Sequence, residues 1–199
     1  MADEPQTTAL AGLVLCGGRS VRMGEEKALL DAAGEPLVIR VARRLASVAD
    51  PVMLAPGRIG RLGDLGFPEV SDEVPAAGPL AAIVAGISAS PHPTVAVVAV
   101  DMPDASPEVF ALLARLRLGE DAVVPVTPTG PQPLHALYAR SALPHFRAAV
   151  ASGRLRVGDA LSALRVRLVT DVEWGVADPS GRFAVNLNTP HDVHSWGAG

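Results

Sequence analysis

The stretch LVLCGGRSVRMGEEK, running from Leu13 to Lys27, decides how this chain is read. Leu13-Val14-Leu15 is a short apolar run of the kind that forms a buried strand. Gly17 and Gly18 follow at once, and Arg19, Ser20, Arg22, Gly24 and Lys27 come after them. Glycines let a backbone adopt conformations closed to other residues and bring its N–H groups close to an anion. Arginine and lysine in the same loop add positive charge and directional donors. A strand feeding a glycine-rich, cationic loop is a design for holding phosphate.

Two common phosphate loops are excluded. The Walker pattern needs lysine directly after its last glycine, whereas two glutamates separate Gly24 from Lys27. The dinucleotide fingerprint G-x-G-x-x-G fails because Gly17 and Gly18 are adjacent. What remains resembles the L-x-G-G-x-S-x-R-M-G-x-x-K signature of the nucleotidyltransferase superfamily, which couples a nucleoside triphosphate to a phosphorylated acceptor. A turn with solvated charges would explain the glycine pair, but not five further positions in fixed order.

At 199 residues the chain fits one domain with a real core, and 49% apolar with 19% charged residues argues against disorder. The net charge of −4 advertises no nucleic-acid surface, so positive charge for a polyphosphate must be concentrated locally. No apolar stretch approaches a membrane span and no signal peptide opens the chain, giving a cytoplasmic expectation with no membrane partner. A single cysteine, Cys16, excludes an internal disulfide and a cysteine-rich zinc site.

Residues 1–9 read as a flexible tail and 10–199 as one domain. Strands are expected at Ala11–Cys16, Pro51–Ala55, Glu69–Ser71, Thr94–Val100, Ala122–Val126, Leu134–Ala139, Leu164–Val169 and Phe183–Asn186. Helices are expected from Pro36 (Val38, Val41, Leu45 and Val48 at helical spacing), from Pro79, from Ser106-Pro107-Glu108, over Leu143–Ala151 and Val157–Leu164, and from Pro190, with a short one within Arg58–Gly66. Strands alternating with helices imply a three-layer α/β/α sandwich around a mostly parallel twisted sheet. Ligands of such sheets sit beyond the carboxyl ends of the strands. The first strand ends in the glycine loop and the Thr94 strand ends at Asp101, so the two should share one edge.

A carboxylate fixed at that edge suits Mg²⁺, which takes hard oxygen ligands and completes its shell with phosphates and water. Capping the following helix is the other role for Asp101, although Asp104 and Ser106 lie nearer that start. Asn186 and Asn188 fall on one side if Asn186-Leu187-Asn188 is extended, or are simply turn residues before Pro190. The histidines have no catalytic part in this reading. Trp174, Trp196, Phe110, Phe146 and Phe183 read as core or interface.

Together these positions resemble the molybdenum cofactor guanylyltransferases over Leu10 to Trp196. The match comprises Leu15–Lys27, Asp72 before Gly78-Pro79-Leu80, Asp101-Met102-Pro103, Pro133–Tyr138, Gly153-Arg154-Leu155-Arg156 and Asn186-Leu187-Asn188-Thr189-Pro190. The resemblance implies a Rossmann-like nucleotidyltransferase fold. It implies transfer of GMP from GTP to the terminal phosphate of molybdopterin or molybdenum-molybdopterin, with release of pyrophosphate, and leaves room for transient contacts with other cofactor-biosynthesis proteins. By the same resemblance Leu15, Cys16, Gly17, Gly18, Lys27, Asp72, Gly78 and Asp101 bind the nucleotide, and Asp72 reads the guanine nucleoside. Arg22, Lys27 and Asp101 serve catalysis, Asp101 holds Mg²⁺, and Arg154, Arg156, Asn186 and Asn188 face the acceptor, with His135 near it.

Gly17-Gly18 follows the guanylyl pattern rather than the Ala-Gly of related cytidylyl enzymes. Cys16 departs from a usual alanine, Glu26 from aspartate, Leu54 from an asparagine of some relatives and Ala82 from a frequent glycine. Two alternatives stay open: a sister transferase using CTP on molybdopterin or another nucleotide on a sugar or alcohol phosphate, and a nucleotide sensor without turnover.

Overall fold

The computed structural model of the protein describes residues 9–17, 26–72, 74 and 78–197. The expected tail lies, but for residue 9, outside them. Eight strands form the sheet: β1 (Leu10–Leu15), β2 (Val52–Gly57), β3 (Glu69–Ser71), β4 (Thr94–Ala99), β5 (Ala122–Thr127), β6 (Gly130–Pro131), β7 (His135–Ala139) and β8 (Val166–Val169). Their order is β3-β2-β1-β4-β7-β5-β6, with β8 also pairing β5. Six run in one direction, and only β7 and β6 run against it.

Alternation along β1 explains the layers. Leu10 and Val14 face one apolar cluster, and Ala11, Leu13 and Leu15 face the other. The first cluster takes α1 (Leu37–Ala46), α3 (Pro107–Leu116), Trp174 of α6 (Asp171–Trp174) and Val193 of α7 (Pro190–Gly197). The second takes α2 (Gly78–Ala89), α4 (Leu143–Ala151) and α5 (Val157–Ala160). Covered on both faces, β1 and β4 have no need of polar positions, which is why both read as unbroken apolar runs. The α3 start follows its sequence signal: Ser106 Oγ accepts from Val109 N at 3.1 Å, with Pro107 in the first turn. Among the described residues no helix is long and apolar enough to cross a membrane.

Three expectations fail locally. Arg58–Gly66 forms no helix, because Gly60, Gly63 and Gly66 all take positive φ (74, 76 and 75°) and break the chain every third residue. Phe183–Asn186 is not a strand but follows a 3-10 turn at Arg182–Ala184, entered through Gly181 in the left-handed region. Phe183 is fully buried there against Trp174 and His135, so it is a single aromatic anchor and not one tooth of an alternating strand. Val157–Leu164 splits into α5 and a 3-10 turn at Leu161–Ala163.

Candidate active site

The site grows from the register of β1 on its neighbours. Leu15 pairs Ala99 of β4 and Ala55 of β2, so three parallel strands end side by side. Val100 N donates to Leu15 O at 3.0 Å and Cys16 N to Ala55 O at 3.1 Å, carrying the pairing just past the strand ends. Gly17 and Asp101 therefore leave the sheet next to each other. A Cβ on Gly17 would stand 3.3 Å from Ala55 O, Pro56 C and Gly57 N. A side chain there would have to push that backbone back by a few tenths of an ångström, which favours glycine.

After the loop, the chain returns in a 3-10 turn at Lys27–Leu29. Lys27 Nζ reaches Asp101 Oδ2 at 3.3 Å, with 15% and 26% of the two side chains exposed. Both line a cleft of about 280 Å³ whose walls include Leu15, Cys16, Gly17, Glu26 and Pro79. Pro79 belongs to the first turn of α2, so a helix N-terminus, with its outward N–H groups and partial positive charge, opens at the cleft. Gly78, at φ 74°, turns the chain into that helix.

Asp101 Oδ1 is buried and has no hydrogen-bond partner among the described residues. A lone carboxylate with one oxygen on an ammonium and the other vacant fits a hard divalent cation that takes its remaining ligands from phosphate and water. The helix-cap role falls to Ser106. The Asp101 carbonyl meets a second segment: Leu187 N donates to it at 2.8 Å. Leu187 is buried, and Asn186 and Asn188 lie exposed on either side of it. Asn186 Nδ2 donates to Ala184 O and Asn188 N to Asp192 Oδ2, and the exposed-buried-exposed alternation of Asn186-Leu187-Asn188 puts the two asparagines on one side, as expected of an extended run.

Asp72 stands half-buried at the end of β3, near Gly57 at the end of β2. Its Oδ1 is buried and has no hydrogen-bond partner among the described residues, and desolvation raises its carboxyl above the usual range. Arg154 and Arg156 are exposed between α4 and α5, Arg154 Nε donating to Ser152 Oγ at 3.1 Å; neither lines the Lys27–Asp101 cleft. Gly18 and Arg22, like Arg19, Ser20 and Gly24, lie outside the described residues. Burial pushes the Cys16 thiol up to about 12, which leaves it protonated and a poor nucleophile. Leu54 and Ala82 are both interior, in the two apolar clusters, and neither lines the cleft.

His135 needs correction. It is fully buried, stacked on Phe110 at 3.9 Å, and its Nε2 accepts from Ser106 N at 3.2 Å, so it braces the chain after Asp101 from within the core and meets no acceptor. Desolvation pushes the imidazole down to about 3 from 6.5. The unfolded chain therefore takes up this proton first as pH falls. Stability is fully present above 6.5 and declines from there toward 3, by roughly 1.4 kcal/mol per pH unit. His135→Gln, which keeps a neutral acceptor, should flatten that component. Urea unfolding of both proteins at pH 7.5 and 5.5 measures it; equal losses would remove His135 as the cause.

Arg61 carries no motif and went unread, because its partners are far off in sequence. Its Nη2 donates to Cys16 O at 2.6 Å, its Nε to Pro56 O at 2.8 Å, and its Nη1 pairs with the Glu26 carboxylate.

Fold and cleft together define a class: an α/β nucleotidyltransferase, with a cleft at the carboxyl edge of a largely parallel sheet. Residues 12–166 match the family model of the MobA-like NTP transferase domain, and the chain belongs to that family. It is 34% identical over 195 residues to a probable molybdenum cofactor guanylyltransferase of Chloroflexus aggregans, covering 95% of this chain and 94% of that one. A protein of the same description from Natronomonas pharaonis is 35% identical over 190 residues, covering 92% and 94%. Among solved structures, molybdopterin-guanine dinucleotide biosynthesis protein A of Archaeoglobus fulgidus superposes with a TM-score of 0.83 at 25% identity, over 94% of this chain and 97% of that one. The 2-C-methyl-D-erythritol 4-phosphate cytidylyltransferase of Thermus thermophilus shares the fold at TM-score 0.69 and 17% identity, over 94% and 96%.

Proposed function

We propose that the protein transfers GMP from GTP to the terminal phosphate of molybdopterin, with or without bound molybdenum, forming the guanine dinucleotide cofactor. The carrying observation is that Lys27 and Asp101, 74 residues apart, meet at 3.3 Å in one cleft beside the glycine at the end of β1. A phosphate oxygen of the acceptor bonds to the α-phosphorus of GTP, and the bond to the β-phosphate breaks, its electron pair leaving with pyrophosphate. An acceptor phosphate monoester is already largely dianionic, so no residue has to remove a proton. The obstacle is two anions meeting in line, which makes positioning and charge neutralisation the protein's task.

Lys27 and the N-terminus of α2 neutralise the triphosphate and then the departing pyrophosphate. Asp101 would hold Mg²⁺, which when bound neutralises charge on the phosphate oxygens. Asp72, with an unsatisfied buried oxygen, suits the paired N–H donors on the guanine edge, and Asn186 and Asn188, flanking the Asp101 carbonyl, suit the acceptor side. Arg154 and Arg156, exposed cations outside the Lys27–Asp101 cleft, are assigned to the acceptor by the resemblance alone. The relatives named guanylyltransferases support the choice of base and acceptor.

Melting the protein with each nucleoside triphosphate and Mg²⁺ tests the base. GTP is expected to give the largest rise in Tm, several degrees at a concentration about 100 times Kd, where binding adds about 2.7 kcal/mol. A larger rise with CTP or UTP would overturn guanylyl transfer. Pyrophosphate release from GTP that requires molybdopterin would complete the assignment.

A further inference from the structure

We infer that Arg61 is a positioning residue that ties together the two ends of the phosphate-binding loop, an inference that rests on the reading of that loop given above. The guanidinium sits 21% exposed in the glycine-rich bend after β2. The bend is itself fastened where Gly60 N donates to Glu69 Oε2 of β3 at 2.6 Å. From there Arg61 holds three separate pieces of chain. Cys16 O lies where the loop leaves β1, and the Glu26 carboxylate lies where the loop returns. Pro56 O belongs to the β2 backbone against which Gly17 rests. One rigid fork thus joins the end of β1 at Cys16, the return of the chain at Glu26 and the β2 backbone against which Gly17 rests.

Each of its three nitrogens donates to one of these acceptors, which marks a role in holding the loop, and one N–H on each Nη is left over. Lysine, a point charge without the fork, could not serve three acceptors in these directions. The arrangement also accounts for Glu26, where the resembling signature carries aspartate. An aspartate carboxylate would fall short of Arg61 by roughly 1.5 Å, one carbon–carbon bond. Glu26 and Arg61 are therefore a matched pair, and shortening the acid should cost more than neutralising it at constant length, because a glutamine oxygen still accepts from the fork.

The test is calorimetric binding of GTP with Mg²⁺ and, separately, of inorganic tripolyphosphate to wild type, Arg61→Met, Glu26→Asp, Glu26→Gln and the double variant Arg61→Met/Glu26→Gln. Arg61→Met should weaken both ligands in parallel by about tenfold or more, as for loss of hydrogen bonds to a charged group. Glu26→Asp should lose more than Glu26→Gln, and the double variant should lose less than the sum of its parts. In turnover the deficit should fall on KM for GTP more than on kcat. Melting curves of the free variants report folding, and should Arg61→Met fail to fold, the ranking of the two Glu26 variants decides. The proposal is overturned if Arg61→Met binds tripolyphosphate as wild type does, if the loss is confined to GTP, or if Glu26→Asp binds as well as Glu26→Gln. Tripolyphosphate carries no base, so a wild type that prefers another nucleotide would overturn guanylyl transfer while the Arg61 comparison still reads out; a wild type that binds no polyphosphate would sink both.

Discussion

Asp101→Asn is expected to lower turnover by at least about 10²–10³-fold while leaving the fold intact, the usual cost of removing one preorganised electrostatic stabiliser. The substitution is nearly isosteric. The Asp101 carbonyl would still accept from Leu187 N, so the Asn186–Asn188 segment keeps its anchor on the sheet. What disappears is the charge at a buried carboxylate oxygen that has no hydrogen-bond partner among the described residues. The Lys27 pair is lost as well, but both partners are partly exposed and such pairs contribute about 1 kcal/mol or less to stability. Stability and activity should therefore separate. Urea unfolding should move little, while pyrophosphate release collapses and Mn²⁺ used as a probe binds more weakly in the presence of GTP. Near-normal turnover would dismiss the proposed metal role.

How the site could be foreseen differs from residue to residue. β1 and β4 were legible because strands buried on both faces can be apolar throughout, and two such runs ending in Cys16-Gly17 and Asp101 leave little choice about which edge is functional. The α3 start was legible because capping is local chemistry, written within four residues. Asn186-Leu187-Asn188 was legible in part: alternation gives exposed Asn186 and Asn188 about a buried Leu187, but not the hydrogen bond from Leu187 N to the Asp101 carbonyl, 86 positions away. Arg61 was invisible for the same reason: a guanidinium takes its meaning from three carbonyl and carboxylate oxygens on other elements. His135 misled in the opposite direction, since its place in a resembling block suggested a ligand contact while its stacking on Phe110 makes it core.

Removing the other half of the cleft's ion pair should have two effects of opposite sign. Lys27→Met is expected to lower turnover with GTP by about 10²-fold or more, since a fixed cation then no longer offsets charge gathering on the leaving pyrophosphate. Lys27 is, however, also the partner that Asp101 Oδ2 holds, and Oδ1 holds none among the described residues. Without the ammonium, both oxygens are left to a divalent cation with no like charge beside it. Two unit positive charges about 4 Å apart repel by about 4 kcal/mol at an effective dielectric of 20. Even a fraction of that, after the side chain moves away and solvent screens it, corresponds to a tenfold or greater gain in affinity. The free variant should thus bind Mn²⁺, counted by its electron paramagnetic resonance signal, at least tenfold more tightly than the free wild type, although it uses GTP far worse. Lys27 would then neutralise the carboxylate until a bound triphosphate took its ammonium, an ordered exchange that would leave Asp101 to hold the cation. Equal Mn²⁺ affinity in the two free proteins would show that the ion pair does not compete with metal, and the ordered exchange would fail even if Lys27 proved essential for turnover.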